Sequence, residues 1–151
     1  MKHIFNKDFF EFIKCLNHHK VDYILIGGYS VIFHGYARST GDLDIWINKN
    51  KENYLKLVNA FHEFRMPIFD MNEKNFLHNT DIDVFTFGRP PVAIDIMTSV
   101  KGLDFKSSFN NSIIKNIEGV PLRFLSLEDL IISKKASNRH KDQDDIEHLK
   151  Q

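Results

Sequence analysis

The sequence predicts an α/β or α+β domain built around a sheet. Short apolar runs of strand length alternate along the chain with longer segments whose apolar residues recur at helical spacing. With 151 residues, 42% of them apolar, the chain is long enough to bury a core, and we predict a single domain over residues 1–151. No internal repeat or low-complexity tract divides it.

The charge balance disfavours a large nucleic-acid footprint. The 20 acidic and 20 basic residues give a formal net charge of zero, whereas proteins that bind mainly through phosphate electrostatics are usually basic. The lone Cys15 cannot form an internal disulfide, and it flanks the apolar stripe of the first helix, so we predict a buried thiol. No apolar run approaches the roughly 20 residues that span a bilayer, which predicts a cytoplasmic protein with no membrane partner.

The first half of the chain predicts three helices and two strands. Asn6 is a plausible N-cap for the first helix, whose apolar residues follow i, i+3, i+4, i+7 spacing. Residues 70–79 are polar and irregular in pattern, so no element is assigned to them. The predicted elements are a helix to about His18, a strand over Tyr23–Ile26, a helix over Tyr29–Tyr36, a strand over Asp42–Ile47 and a helix over Lys51–Phe64.

The second half predicts four strands and two longer helices. Ser126 and Asp129 fit a capping box, which predicts a helix that starts at Leu127. The last helix is polar and is expected to bury little beyond Ile146 and Leu149. The predicted elements are strands over Ile82–Phe87 and Val92–Met97, a short helical turn near Asp104–Phe109, a hairpin of Ser112–Ile117 and Pro121–Phe124, and C-terminal helices within about residues 126–150.

Two aspartates in the second predicted strand are the first candidate site residues. Asp42 and Asp44 are two residues apart, so their side chains share one face of the strand with Trp46. Adjacent like charges make each other harder to ionise, and partial enclosure adds to the cost. A divalent cation would remove this objection, although two solvated carboxylates on an exposed strand would need none.

A glycine pair precedes these acids and lies between a predicted strand and helix. Gly27 and Gly28 would let the backbone approach a ligand closely, and the helix that follows would offer free N–H groups to phosphate. Taken alone, the pair also fits a simple tight turn. Its position just ahead of Asp42 and Asp44 favours a phosphate-and-metal site.

A third acid and a second pair of aspartates are the remaining candidates for this site. Asp95 is a lone charge in the predicted strand Val92–Met97, where a metal shared with the first two acids would supply a partner. Asp81 and Asp83 have the same spacing as Asp42 and Asp44 but lack a preceding glycine turn, so we interpret them as a strand-edge feature. His140, Asp144 and His148 follow i, i+4, i+8 spacing, and we predict a solvated helix face rather than a metal site.

Together these motifs resemble the nucleotidyltransferase superfamily related to DNA polymerase β. The string GGYSVIFHGYARSTGDLDI is similar to its small bacterial branch of AbiEii-like and minimal nucleotidyltransferases, and the likeness extends through FGRPPVAIDIM and SLEDLIISKKASNRHKDQDDIEHL. The resemblance implies a nucleotidyltransferase fold, in which a mixed sheet carries helices mainly on one face.

The resemblance also implies roles for individual residues. Asp42, Asp44 and Asp95 correspond to the catalytic acids that bind metal, and the third acid also helps to activate the attacking hydroxyl. The positions that correspond to nucleotide contacts are Gly27, Gly28, Arg38, Thr40 and, in the late basic segment, Lys135.

The implied activity is transfer of a nucleoside monophosphate from an NTP, with ATP preferred, to a hydroxyl or phosphate acceptor. Two Mg²⁺ ions, or Mn²⁺ in their place, would serve as cofactors. A small molecule, a protein side chain or a tRNA end remain open as acceptors, and a homodimer is a further expectation. The alternative is a non-catalytic or regulatory module, such as the antitoxin that partners a small α-helical ribonuclease toxin.

Overall fold

The apolar runs of the sequence form the strands of one six-stranded sheet. The computed structural model describes residues 7–36, 41–89 and 92–150. Within these residues the strand order across the sheet is β3-β4-β2-β1-β6-β5. The strands are β1 (Tyr23–Ile26), β2 (Asp42–Ile47), β3 (Val84–Arg89), β4 (Val92–Met97), β5 (Ile113–Ile117) and β6 (Val120–Phe124).

The sheet is mixed, as predicted. Neighbours in the chain pair antiparallel, which joins β1 to β2, β3 to β4 and β5 to β6. The parallel pairs join strands that are distant in the chain, β2 with β4 and β1 with β6. The β2–β4 pairing places two acid-bearing strands side by side near the middle of the sheet.

Helices begin where side chains can cap them. Asn50, Asp104 and Ser126 each accept a hydrogen bond from the backbone N–H three residues later, which satisfies one of the free donors of the first turn. The helices are α1 (Lys7–His18), α2 (Gly27–Phe33), α3 (Lys51–Glu63), α4 (Glu73–Leu77), α5 (Phe105–Asn111), α6 (Leu127–Ser137) and α7 (His140–Leu149).

The core has two parts because strand side chains alternate between the faces of the sheet. The larger cluster packs α1 and α3 against one face, where Leu43 and Ile45 of β2 are fully buried. A smaller cluster on the other face gathers Trp46 of β2 with apolar residues of α6 and α7. The α/β class is therefore confirmed. Helices pack mainly on one face, as predicted, and a smaller layer of helices covers the other face.

Four local predictions differ from the structure. Helix α2 begins at Gly27 instead of Tyr29, and β3 begins at Val84 because residues 80–83 form a turn and its exit. The unassigned residues 70–79 contain the short helix α4, capped by the side chain of Asn72. Helix α7 buries Asp142 and Asp145, which the sequence prediction of a solvated helix missed. No helix among the described residues is long and apolar enough to cross a membrane.

Candidate active site

Three aspartates share one face of the sheet at the β2–β4 pair. Asp44 lies opposite Asp95 in the parallel register, and Asp42 lies opposite Ala93. Because partners in a ladder project to the same side, all three carboxylates lie on the face that also carries Trp46. The side chains are partly buried beneath the layer of α6 and α7.

The glycine turn brings the backbone against the second acid. Ile26, the last residue of β1, pairs with Asp44, and Gly27 follows at a φ of +66°. A Cβ at Gly27 would overlap the carboxylate of Asp44 and lie 2.9 Å from its Cγ. Glycine is thus required here for two reasons, a left-handed backbone and close approach to a charged side chain.

Burial and neighbouring negative charge disfavour the charged form of Asp44. Burial raises the pKa of Asp44 to about 7, with further increases from the charge of Asp95, a hydrogen bond to Asp95 and the charge of Asp42. Lys141 opposes this shift. The Thr86 hydroxyl on β3 donates to Oδ1 of Asp95 at 2.7 Å, which holds that carboxylate in position beside Asp44.

The donor set fits a hard divalent cation. Carboxylate oxygens are the ligands that Mg²⁺ and Mn²⁺ prefer, and a positive ion would relieve the repulsion between Asp44 and Asp95. The donor atoms of the three acids are not all within 4.8 Å of one another, as they would be in a closed metal site. Within the described ranges, the only group of three potential ligands whose donor atoms all lie within 4.8 Å of one another is His18, His19 and Glu63, elsewhere on the molecule.

A cleft of about 170 Å³ opens beside the acids. Gly27 and Asp44 form one wall, and residues of α6 and the α6–α7 junction form the opposite wall. The lining also includes the turn after β4. Its members with polar side chains are Asp44, Ser99, Lys101, Ser133, Lys134, Ser137 and Arg139.

Lys134 is a cation fixed inside the protein by two buried acids. Its side chain is 7% exposed, and its Nζ lies 3.2 Å from Oδ1 of Asp142 and 3.2 Å from Oδ2 of Asp145. Both aspartates are almost fully buried, so the ammonium neutralises charges that could not otherwise remain there. Lys134 therefore ties α6 to α7 at the cleft wall.

Arg139 is a second cation at the cleft, and its guanidinium is oriented by the same network. Nε donates to Oδ2 of Asp142 at 2.8 Å, and Nη2 donates to Oδ1 at 3.1 Å. This bidentate pairing raises the pKa of Arg139, and the charge of Asp44 adds to the increase. The side chain is still 60% exposed, which leaves it accessible to a ligand in the cleft.

A family model described as "Nucleotidyltransferase of unknown function (DUF6036)" matches residues 7–150. The chain belongs to this nucleotidyltransferase family. The match covers every strand of the sheet, all three acids and both walls of the cleft. A comparison with curated proteins gives no match.

Solved structures share the fold of this nucleotidyltransferase-family chain at low sequence identity. The lincosamide antibiotic adenylyltransferase LnuA, in a lincomycin-bound crystal structure, aligns at 16% identity with a TM-score of 0.57, over 99% of this chain and 98% of LnuA. TM1012 from Thermotoga maritima, a candidate nucleotidyltransferase, aligns at 15% identity with a TM-score of 0.56, over 98% and 94% of the two chains.

A third structure extends the likeness to a fungal protein. An antigenic nucleotidyltransferase-like protein from Paracoccidioides brasiliensis aligns at 14% identity with a TM-score of 0.53, over 94% of this chain and 74% of its own. The nucleotidyltransferase superfamily and its fold, predicted from the sequence motifs, are therefore confirmed.

The structure of the family member brings together only part of the predicted nucleotide site. The backbone of Gly27 packs against the side chain of Asp44, and Gly28 is buried at the start of α2. Arg38 and Thr40 lie outside the described residues. Lys135 is exposed and does not line the cleft, whereas its neighbour Lys134 and the later Arg139 do.

Two buried acids that pair with cations of the cleft wall are not predicted by the sequence. Asp142 and Asp145 lie on α7, whose many charged residues predict a polar, solvated helix. Their spacing with Leu149, at i, i+3 and i+7, is that of an inward-facing helical stripe and could have indicated burial. The partner that permits their burial, Lys134, lies on a different helix.

The rival pair and the histidine series lie away from this centre. Asp81 and Asp83 are exposed in the segment that precedes β3. His140, Asp144 and His148 are exposed on α7, and the Tyr36 ring stacks on His148 with centroids 3.9 Å apart while its hydroxyl donates to Asp144. These residues form a surface contact between α7 and the segment after α2.

Proposed function

We propose that this chain transfers a nucleoside monophosphate from an NTP to a hydroxyl or phosphate acceptor and releases pyrophosphate. The observation that carries the proposal is the cross-strand pair of Asp44 and Asp95 with Gly27 against it. Two partly buried carboxylates that repel each other are a costly arrangement for packing alone, and they become favourable with a cation. Membership of a nucleotidyltransferase family supports the same assignment.

Asp42, Asp44 and Asp95 would hold Mg²⁺, with Mn²⁺ as its substitute. When bound, the ion supplies Lewis-acid stabilisation of phosphate charge and lowers the pKa of a coordinated hydroxyl. Thr86 orients Asp95 through its hydrogen bond, so this carboxylate is held ready to accept a proton from the acceptor hydroxyl. Gly27 keeps the space beside Asp44 free of a side chain.

Arg139 is the cation that we assign to the triphosphate. Lys134 is committed to two buried acids, so little of its charge is available for a ligand. Arg139 uses the N–H of Nε and one N–H of Nη2 for Asp142, so both N–H groups of Nη1 and the second N–H of Nη2 can donate to phosphate. The pairing with Asp142 limits the rotation of the guanidinium and so lowers the entropic cost of binding.

The test is label transfer from each α-labelled NTP in the presence of Mg²⁺. Small alcohols, aminoglycoside-like and lincosamide-like polyols, tRNA and total cell protein serve as separate acceptors, with ATP expected as the preferred donor. Asp44→Asn should abolish transfer because it removes a ligand and a charge. Asp81→Asn is the matched control, since Asp81 belongs to a pair of the same spacing outside the cleft and should retain wild-type transfer.

Two outcomes would contradict the proposal. Transfer that persists in Asp44→Asn would exclude the assigned metal ligands. Undetectable binding of Mg²⁺–NTP to the wild-type chain by calorimetry would exclude the enzyme itself and favour the non-catalytic alternative, for which co-purification with a small α-helical partner is the positive sign. The same purification reports whether the chain is a homodimer.

A further inference from the structure

We propose a second metal site, for Zn²⁺ or a similar first-row cation, formed by His18, His19 and Glu63. These residues lie at the joined ends of α1 and α3, on the face of the sheet opposite the active-site acids. The proposal does not depend on the nucleotidyltransferase function.

The donor atoms already converge around one carboxylate. His18 Nδ1 lies 2.9 Å from Oε1 of Glu63 and 3.1 Å from Oε2, and His19 Nε2 lies 3.0 Å from Oε1. Ligands around a tetrahedral Zn²⁺ are separated by roughly 3.3 Å, given metal–ligand bonds of about 2.0 Å. The two histidine–carboxylate distances are thus within a few tenths of an ångström of the separation that an ion would need, and all three donor atoms lie within 4.8 Å of one another.

The donor set is one that Zn²⁺ accepts. Two imidazoles and one carboxylate hold Zn²⁺ in sites where water takes the fourth position, whereas Mg²⁺ favours oxygen ligands. Cys15 lies one helical turn before His19, with the N–H of His19 bonded to the carbonyl of Cys15 at 3.1 Å. Its thiol is not among the donor atoms that lie within 4.8 Å of one another, so it is not assigned as a ligand.

Both helices that carry the ligands end with the same backbone motif. Lys20 after α1 and Arg65 after α3 both have left-handed φ, of +58° and +62°. Each ends its helix with a hydrogen bond from the following N–H, Val21 to Leu16 and Met66 to Phe61, both at 3.0 Å. The ligands therefore extend from well-defined helix ends, whose partial negative charge also favours a cation.

Packing holds the two helix ends at a fixed separation. The Phe12 ring of α1 contacts the rings of Phe61 and Phe64 at the end of α3 edge-to-face, with centroid distances of 5.4 and 5.2 Å. Sites built on rigid, packed elements keep their ligands within the tolerance that metal coordination needs. A simple surface ion pair needs one imidazole, whereas both His18 and His19 direct a ring nitrogen at Oε1 of Glu63.

Zn²⁺ binding to the untagged, EDTA-stripped full chain tests the site by competition with a chromogenic chelator. We expect one Zn²⁺ per chain at this site, and at least about tenfold weaker binding for His19→Ala and Glu63→Gln because each loses one ligand. His62→Ala is the control, since His62 is exposed beside Glu63 but does not belong to the cluster and should bind like wild type.

Asp44→Asn provides a second test, because the active-site acids and the helix ends lie on opposite faces of the sheet. Zn²⁺ binding should persist in this variant with the affinity of wild type if the ion lies at the helix ends.

Three results would overturn the proposal. They are the absence of saturable Zn²⁺ binding to the wild-type chain, binding unchanged by both His19→Ala and Glu63→Gln, and loss of the bound ion in Asp44→Asn with retention in Glu63→Gln. The last result would place the ion at the acids of the sheet instead.

Discussion

Asp44 and Asp95 lie directly opposite each other on the parallel strands β2 and β4, and the charge of Asp95 adds to burial in opposing the ionisation of Asp44. A proton that Asp44 retains near neutral pH in the free protein must therefore leave when a cation binds. The pairing connects metal binding, protonation and stability at one position in the fold.

The metal-free protein should lose stability as pH rises. The pKa of Asp44 is about 7 in the folded state against an ordinary value of 3.8 in the unfolded chain, so between these values the folded chain binds more protons than the unfolded chain. Stability from this group is therefore full at low pH and is lost as pH rises toward and through 7, by about 4 kcal/mol at most. Urea unfolding at pH 5 and pH 8 in EDTA measures the difference.

Asp44→Asn should remove most of this pH dependence and make the metal-free protein more stable than wild type at pH 8. Added Mg²⁺ should stabilise wild type at pH 8 and leave Asp44→Asn unchanged. A wild-type stability that rises between pH 5 and pH 8 in EDTA would contradict the assigned protonation.

Gly27→Ala should damage the site beyond the cost of its backbone. An alanine at φ +66° costs about 1–2 kcal/mol, and its Cβ would additionally overlap the carboxylate of Asp44, which adds about 1–3 kcal/mol. Gly119→Ala is the matched control, because Gly119 has a φ of +79° and no atom within 4 Å of the added Cβ. Equal losses of stability and of Mg²⁺ affinity in the two variants would show that contact with Asp44 is unimportant.

The local sequence pattern predicts which acids share a face of β2, but it does not predict which acids lie opposite each other on neighbouring strands. Alternation along β2 predicted that Asp42 and Asp44 share a face, because that property depends only on the strand itself. The partnership of Asp44 with Asp95 depends on β4 lying parallel beside β2, a long-range choice that no local pattern encodes. The sequence motifs indicated it only through the family resemblance.

The burial of the two α7 acids is a second feature that the local sequence does not predict. Charge along the helix predicted exposure, since an isolated aspartate is strongly disfavoured in a core. Their burial is permitted by Lys134, eight residues before Asp142 and on another helix. Whether a charged residue is buried thus depends on a partner that tertiary packing selects. The family resemblance implies a nucleotide contact at Lys135, and nothing in the local sequence shows that its neighbour Lys134 is the lysine at the cleft.

Lys134→Met and Lys135→Met should have very different effects. Removal of the Lys134 ammonium takes away the cation that Asp142 and Asp145 share and leaves Asp142 with Arg139 alone, which should cost about 3–5 kcal/mol of folding free energy. Lys135 is exposed, so its replacement should change stability by less than about 0.5 kcal/mol. Urea unfolding compares the variants, and similar losses in both would refute the buried network.

Arg139→Gln should weaken nucleotide binding with a smaller effect on turnover. The guanidinium contacts the cleft but not the reacting acids, so its loss should raise KM for the NTP by about tenfold and leave kcat within a few-fold. Lys135→Met provides the comparison, and a larger effect on KM there would return the triphosphate contact to Lys135, as the family resemblance implies. Arg139→Lys should restore little, because a single ammonium cannot pair with Asp142 and phosphate in the same geometry.

Thr86→Val should lower the affinity for Mg²⁺ without removing any metal ligand. The hydroxyl donates to Oδ1 of Asp95 at 2.7 Å, and loss of a hydrogen bond that orients a ligand typically reduces metal affinity by about 10–100-fold. Thr86 is exposed on the edge strand β3, so the nearly isosteric valine should leave the fold intact. Thr86→Ser, which keeps the hydroxyl, should recover most of the affinity in isothermal titration with Mn²⁺. If the valine and serine variants bind equally, the hydrogen bond does not orient Asp95, and its carboxylate is held by the strand register alone.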